Sequence, residues 1–327
     1  MQTVSIVIPN YNGERKLERF FESLLKQDYP LDHVQVCIGD DNSTDGSLEI
    51  IARYRDRLNI KCERSENHRG RSATANLALK LTDGDICIIC DNDFELNQSF
   101  ISCHVKRHQQ AIHTIVVGAL ENRHTSPSIY TEFLDLFQAR HNHYCKRRAS
   151  SLPFIYFRAN ASFKKCELDA FDWFNEDFHV WGYEDVELGY RLARKGFRFI
   201  YEPGAVAFHH LAEQALATRC RRNYNCGKNK ALFAHLYPEA RYDVLCRQTE
   251  CRRLSVKLHY ALRAMVCRFI NRNPLISHVK ILNAFYRLVK KAEHTKIKSI
   301  LFPLYHIVSG MFLEVSYYRH LSIRKKK

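Results

Sequence analysis

The stretch that decides the fold is Val4–Gln27, VSIVIPNYNGERKLERFFESLLKQ. Its first six residues form a short apolar run, the pattern of a strand buried on both faces of a sheet. The polar Asn10-Tyr11-Asn12-Gly13 then interrupts it. From Glu14 the period changes: Leu17, Phe20, Phe21, Leu24 and Leu25 fall on one face of a helix. Strand, polar loop and helix in that order open an α/β unit.

The same alternation continues along the chain. Val34–Gly39 reads as a second strand, and the following helix turns Leu48, Ile51, Tyr54 and Leu58 inward, with Asp45 or Ser43 as its N-cap. Ile60–Glu63 is a third strand, Arg71–Leu81 a helix and Asp85–Cys90 (DICIIC) a fourth strand. This order predicts a parallel sheet with helices on both sides. Beyond Asp93 the pattern predicts helices near Asn97–Gln110 and Ile129–Phe137. Strands are predicted near His113–Ala119, Phe154–Phe157, Phe197–Tyr201 and Gly204–Phe208. A helix over Tyr183–Lys195 is stopped by Gly196. From residue 213 to 327 the chain reads as a basic, mostly helical extension to the domain of residues 1–212. Its apolar stripes are Leu254, Leu258, Ala261, Met265, Phe269 and, further on, Val279, Leu282, Phe285 or Tyr286, and Val289.

With 46% hydrophobic residues the 327-residue chain can bury a sizeable core and is not of disordered composition. Its net charge of +15 favours acidic partners: phosphorylated small molecules, an anionic membrane surface or nucleic acid. The excess gathers at Arg219–Lys230 and Arg324–Lys327. The 12 cysteines follow no disulfide framework. Cys87 and Cys90 lie three apart in a strand and point to opposite faces, which argues against a zinc half-site or a redox pair. Free thiols in a reducing cytoplasm are the expectation, with no secretory signal at the start. Ile300–Leu313, the longest apolar stretch, contains Pro303, His306 and Gly310 and falls short of the roughly 20 residues of a membrane span.

Ligands of open α/β sheets bind beyond the carboxyl ends of the strands. Here three predicted strands end in polar clusters: Pro9–Gly13, Asp40–Asp45 and Asp91-Asn92-Asp93. Turn chemistry explains any one of them. Three on one sheet edge point to a site. No G-x-G-x-x-G follows the first strand and no Walker A loop is present, which argues against a dinucleotide dehydrogenase or P-loop enzyme. Asp91-x-Asp93 after an apolar strand can hold a hard divalent cation with positions open to phosphate oxygens. A second acidic cluster, Trp181-Gly182-Tyr183-Glu184-Asp185-Val186-Glu187, opens a helix. Acids in a first turn are stabilised by the helix dipole, and the same field keeps Asp185 ionised as a base requires. His209 and His210 close a predicted strand, as metal ligands or as polar surface.

Over Val4–His210 the chain resembles the family 2 glycosyltransferases of GT-A fold. VSIVIPNYN resembles the opening strand and donor loop. IGDDNSTDGS resembles the V-D-D-x-S-x-D segment, and Asn67–Asn76 the N-x-G-x-[SA]-x-A-R-N segment. CDND stands where D-x-D stands, and WGYEDVELGYRLARKGFRF resembles W-G-x-E-D-x-E-x-x-x-R. The resemblance implies a GT-A domain, Rossmann-like with a mostly parallel sheet flanked by helices. It implies that Pro9, Tyr11 and Asp40 hold the nucleoside, Asp40 at the base, and that Arg71 lines the nucleotide. Asp91 and Asn92 fall on the donor side, near ribose and metal. Asp93 matches the metal-ligand carboxylate and His209 the histidine that completes the metal shell in some relatives. Asp185 matches the base of inverting members, Glu184 beside it contacts acceptor or donor sugar, Trp181 and Gly182 shape the acceptor side, and Asn160 in FRANASF lies near the transferred sugar. Ala75 departs from the family's arginine, which leaves a phosphate contact missing or supplied by Arg71. Asn42 replaces a common glycine.

The activity so implied is inverting transfer of a hexose or N-acetylhexosamine from a nucleotide-sugar, a UDP-sugar by resemblance, with Mn²⁺ or Mg²⁺ as cofactor. The acceptor would be a glycan, a lipid-linked glycan or a peptide. Surface polysaccharide or lipopolysaccharide synthesis is the favoured setting, protein side-chain glycosylation the alternative. The basic extension would rest on an anionic leaflet at the cytoplasmic face or pack as a lid and oligomer surface. A nucleotidyltransferase would carry a Gly-rich basic loop after the first strand, which PNYNGERK matches poorly. A nucleic-acid-binding module would explain the charge but not the acidic sheet edge, so no nucleic acid is expected.

Overall fold

The computed structural model describes residues 1–126, 128–168, 171–211 and 216–240, together with scattered positions between 284 and 320. It divides into two compact units. The first comprises residues 1–126, 134–179 and 184–212. The second comprises residues 127–133, 180–183 and 213–327, so two short stretches inside the expected domain belong to the second unit.

The first unit is built on β1 (Val4–Asn10), β2 (Val34–Asp40), β3 (Asn59–Arg64), β4 (Ile86–Ile89), β5 (Phe94–Leu96), β6 (Thr114–His124), β7 (Ala161–Lys164) and β8 (Arg198–Leu211). They form one sheet in the order β3-β2-β1-β4-β7-β6-β8-β5. The half read from periodicity, β3-β2-β1-β4, is parallel throughout. Every residue of β1 and β2 is buried, as expected of strands covered on both faces. The crossovers are α1 (Glu14–Leu24), α2 (Ser47–Tyr54) and α3 (Arg71–Lys80). Leu17, Phe20, Phe21 and Leu24 of α1 are fully buried against the sheet, each worth about 2 kcal/mol of apolar burial. Gly46 occupies the cap position of α2. Asp45, one residue earlier, accepts the amides of Ser47 (3.1 Å) and Glu14 (3.0 Å), while Ser43 turns to Asp40.

The other half differs from the expectation in four ways. First, β5 is a three-residue strand, too short for periodicity to show, paired antiparallel with β8. Second, Phe154–Tyr156 is a 3₁₀ turn led by Pro153, and the strand starts later, at Ala161, after Asn160 breaks the extended chain with φ +68°. This strand, β7, lies antiparallel between β4 and β6. Third, the two strands expected at Phe197–Tyr201 and Gly204–Phe208 are one strand, β8. Its register against β6 skips from Gly118↔Glu202 to Ala119↔Val206, and the residues looped out include Pro203, which has no amide to donate. Fourth, α5 runs Ile129–Arg147, ten residues past its expected end. The remaining helices are α4 (Phe100–Gln109), the single turn α6 (Lys165–Leu168), α7 (Glu184–Arg194) and α8 (Leu216–Leu236). After α7 the chain passes through Gly196 at φ +85°, the helix stop expected there.

In the second unit, the basic stretch Arg219–Lys230 lies on α8. It is not uniformly solvated. Arg222 lies over the Trp181 ring at 5.6 Å, and Lys230 is buried, with its ammonium 4.8 Å from the Tyr317 ring centroid. The apolar stripe from Leu254 to Phe269 lies outside the described residues. Of the second stripe Val289 is described, and it is buried. Among the described residues no helix is long and apolar enough to cross a membrane. Among the described residues the cysteines, Cys87 and Cys90 included, form no disulfide.

Candidate functional site

The three polar clusters meet through one side chain. Asn10, at the end of β1, donates from Nδ2 to Asp40 Oδ2 (2.8 Å) and Ser43 Oγ (3.3 Å), and its Oδ1 accepts from Asn92 Nδ2 (2.7 Å). Asp40 is fully buried. Its carboxylate also takes the amide (2.9 Å) and hydroxyl (2.6 Å) of Ser43. Asp40 and Asn92 thus brace the loops that the resemblance assigns to the donor side. Asp41, the next residue, accepts from the amides of Arg69 (2.7 Å) and Gly70 (3.0 Å), with the His68 ring 2.9 Å away. Beside it the exposed Tyr11 ring stands 4.5 Å from that of His68.

Gly70 is required where it is. It has φ +89°, and a Cβ there would come within 2.5 Å of the His179 carbonyl oxygen. It releases the chain into α3, whose first residue is Arg71. Arg71 Nη2 pairs with Asp91 Oδ1, and Arg71 Nε lies 3.2 Å from Glu184 Oε1. Pro9, Arg71, Ala75, Glu184 and Asp185 line one cleft at the carboxyl edge of the parallel strands. Ala75 sits one helical turn beyond Arg71, so the arginine that replaces the family's residue is already bound to two carboxylates.

Burial pushes the Asp185 carboxyl above the ordinary value of 3.8, and the charge of Arg71, then the amide of Val186, pull it back without cancelling the effect. Asp93 goes the other way. Burial is again the largest influence and raises it, but the adjacent His209 ring, with Lys16 and Arg71, brings the net shift down.

The short strand β5 creates the Asp93–His209 contact. Phe94 pairs with His209 across the ladder, which brings His209 Nε2 to 3.5 Å from Asp93 Oδ1. His210 points the other way and holds Glu95 Oε2 at 2.6 Å. Asp93 Oδ1 is buried without a hydrogen-bond partner. A carboxylate oxygen and an imidazole nitrogen so disposed fit a hard divalent ion that keeps its other positions for water and phosphate. Asp91 does not join them, being held by Arg71. Among the described residues no cluster of three or more His, Cys, Asp or Glu gathers as a metal site.

Asn160 is fully buried. Its Nδ2 donates to the carbonyls of Ala119 (2.8 Å) and Ala205 (3.0 Å), and Oδ1 meets His104 Nε2 at 2.9 Å, so that the side chain joins β6, β8 and α4. Trp181 and Gly182 belong to the second unit, where the Gly182 carbonyl accepts from Asn229 (2.7 Å) and Trp181 is half exposed. Arg158, two residues before Asn160, was not singled out by the sequence reading. It lines the cleft with Asp185, and its Nε and Nη2 are buried without partners. The signal was an arginine inside the apolar run PFIYFRANASF, since arginine is seldom buried unless paired.

These features agree with the comparisons. The Glycosyl transferase family 2 model matches residues 5–165. Chondroitin synthase of Pasteurella multocida (strain Pm70) is 29% identical over 238 residues, 63% of this chain and 24% of that protein. Poly(ribitol-phosphate) beta-N-acetylglucosaminyltransferase TarS of Staphylococcus aureus (strain Mu50) is 30% identical over 136 residues, 40% of this chain and 24% of that protein. The chain therefore spans about a quarter of the length of these curated relatives. Among solved structures, the mannosyltransferase PcManGT from Pyrobaculum calidifontis, in complex with GDP-Man and Mn2+, superposes with TM-score 0.59 at 21% identity, over 94% of this chain and 86% of that one. S. aureus TarS 1-349 in complex with UDP superposes with TM-score 0.51 at 18% identity, over 99% and 92%. The fold is GT-A. Over residues 5–165 the chain matches glycosyl transferase family 2.

Proposed function

We propose that the chain transfers a sugar, a hexose or N-acetylhexosamine, from a UDP-sugar to an acceptor hydroxyl with inversion, in the synthesis of a surface polysaccharide or lipopolysaccharide glycan. The observation that carries this reading is that Asp185 shares one cleft with Pro9 and Arg71 at the carboxyl edge of the parallel strands. The relatives named for polysaccharide synthesis support the setting, and the neighbours bound to UDP and to GDP-Man support a nucleotide-linked donor.

In this mechanism Asp185 accepts the proton of the acceptor hydroxyl as the oxygen attacks the anomeric carbon. Its raised proton affinity makes it a stronger base than a solvated carboxylate, and the charge of Arg71 opposes the rise. Arg71 also fixes Glu184 beside it, through Nε. Tyr11 and His68 offer a ring surface for the nucleobase, and Asp41 anchors the loop that carries His68. Asp93 and His209 would hold a divalent ion, Mn²⁺ or Mg²⁺, whose charge neutralises the departing diphosphate.

A panel of UDP-, GDP- and dTDP-sugars, with and without Mn²⁺, tests the reading through donor hydrolysis and thermal shift. Asp185→Asn is expected to keep UDP binding and to lose about 10²–10⁴ in turnover. Near-normal turnover in that variant removes Asp185 from the role, and no binding of any donor overturns the whole assignment.

A further inference from the structure

Arg158 poses a problem that the reaction described above does not solve. It lies between the turn Phe154–Tyr156 and β7, on the same cleft as Asp185. Its Nε and Nη2 are closed to solvent and make no hydrogen bond. Arg158 as a whole is partly buried, but a closed-off donor left without a partner costs about 1–3 kcal/mol, so folds rarely keep two without use. Burial lowers the guanidinium's hold on its proton. Cys145, Tyr201, Asp185 and Tyr156 restore it only in part, Asp185 through charge and not through a hydrogen bond. His141 of α5, whose ring lies 4.9 Å from that of Tyr156, feels the Arg158 charge and has its own Nε2 buried without a partner. Two neighbouring side chains thus present unused polar atoms.

The geometry of those atoms narrows the ligand. Nε and Nη2 form one edge of the guanidinium plane, and their two N–H bonds run parallel. That edge matches the two oxygens of a carboxylate. The cleft's lining includes apolar Ile89, Phe157 and Phe174 together with Asp185. A group docked on Arg158 would share the cleft with Asp185, the proposed base. The other arginine of the cleft, Arg71, is already bound by Asp91 and Glu184.

We propose that the Nε/Nη2 edge of Arg158 binds the carboxylate of a sugar substrate, so that one of the two sugars joined by this chain is a uronic acid. The proposal rests on the glycosyltransferase reading. The carboxylate belongs either to the sugar of the donor or to the terminal sugar of the acceptor, and the two are separable. Glucuronate and glucose differ at C6 alone, a carboxylate against a hydroxymethyl.

The test compares UDP-glucuronate with UDP-glucose as donors. Separately, it compares p-nitrophenyl β-glucuronide with p-nitrophenyl β-glucoside as acceptors for whichever donor is used. The expected result is a preference for the carboxylate member in one of the two arms, roughly ten- to hundred-fold in kcat/KM, the worth of hydrogen bonds to a charged group. Arg158→Gln should bring that ratio to within about three-fold of unity, and Arg158→Lys should leave an intermediate value. If Arg158 served only to balance the charge of Asp185, its loss would shift the pH profile for all substrates alike and leave the ratio unchanged. No preference in either arm of the wild type, or a preference that survives Arg158→Gln, overturns the proposal. If Arg158→Gln does not fold, the wild-type ratio and Arg158→Lys decide the question. UDP binding with no discrimination sinks this inference alone, whereas failure to bind UDP or any nucleotide-sugar sinks the reading beneath it.

Discussion

Replacing Arg71 by Met removes the one cation that both Asp91 and Glu184 pair with. The two partners differ in exposure. The Glu184 side chain is 4% exposed, that of Asp91 25% and that of Arg71 29%. Breaking a buried ion pair by deleting one partner costs about 3–5 kcal/mol, while a pair open to solvent is worth about 1 kcal/mol or less. The Glu184 side of the cluster sets the scale, and Glu184 has further contacts, so the lower end applies: about 3 kcal/mol. For a chain of 327 residues that lowers Tm by roughly 4 °C. Adding Glu184→Gln should recover at least about 1.5 kcal/mol, because the uncompensated charge goes with it.

The same variant has a pH signature. Arg71 is the largest influence opposing the upward shift of Asp185. Without it Asp185 is raised further above 3.8, and Glu184 loses the cation paired with it. A carboxyl raised in the fold binds more protons folded than unfolded, so stability grows as pH falls toward 3.8. Urea unfolding of the wild type, Arg71→Met and the double variant, at pH 7 and pH 5, measures all of this. A deficit below about 1 kcal/mol at pH 7, additivity in the double variant, or a deficit that widens at pH 5 would refute the reasoning.

Two further outcomes are expected. Burial lowers the pKa of His104 to about 4 and that of His108 to about 3, and Ser162 Oγ lies 2.8 Å from a ring nitrogen of each. Unfolded imidazoles take up protons near 6.5 and these do not, so stability should fall as pH drops from 6.5 toward 4. His104 alone accounts for a loss on the order of 3 kcal/mol, and a flat acid limb down to pH 4 would contradict the burial. Gly70→Ala, with φ +89° and a Cβ 2.5 Å from the His179 oxygen, should cost about 3 kcal/mol in thermal unfolding. A loss under 1 kcal/mol would mean that the loop moves aside cheaply.

The parallel half of the sheet was legible in the sequence because it obeys local rules. VSIVIP and DICIIC are buried runs, and Leu17, Phe20, Phe21 and Leu24 share one helical face. The other half is decided by pairing partners distant in sequence. PheGluLeu at 94–96 is a strand only because Phe208 and His209 lie alongside it, and no window of three residues shows that. The site divided in the same way. Residues at the ends of parallel strands could be found by the rule that ligands sit there. Arg158 could not, because β7 runs antiparallel and its beginning, not its end, lies at that edge. Asn160 was placed near the sugar by its motif, which shows neither its left-handed backbone nor its buried amide.

Asn10 joins residues 30, 33 and 82 positions away through one amide group. The loops after β1, β2 and β4 are therefore not independent parts. A change in any one is felt by the other two, and pairs of substitutions among Asn10, Asp40, Ser43 and Asn92 should depart from additivity. Re-engineering the donor preference of this chain loop by loop would meet that linkage first, and whole-set exchange of the three loops would be the workable unit.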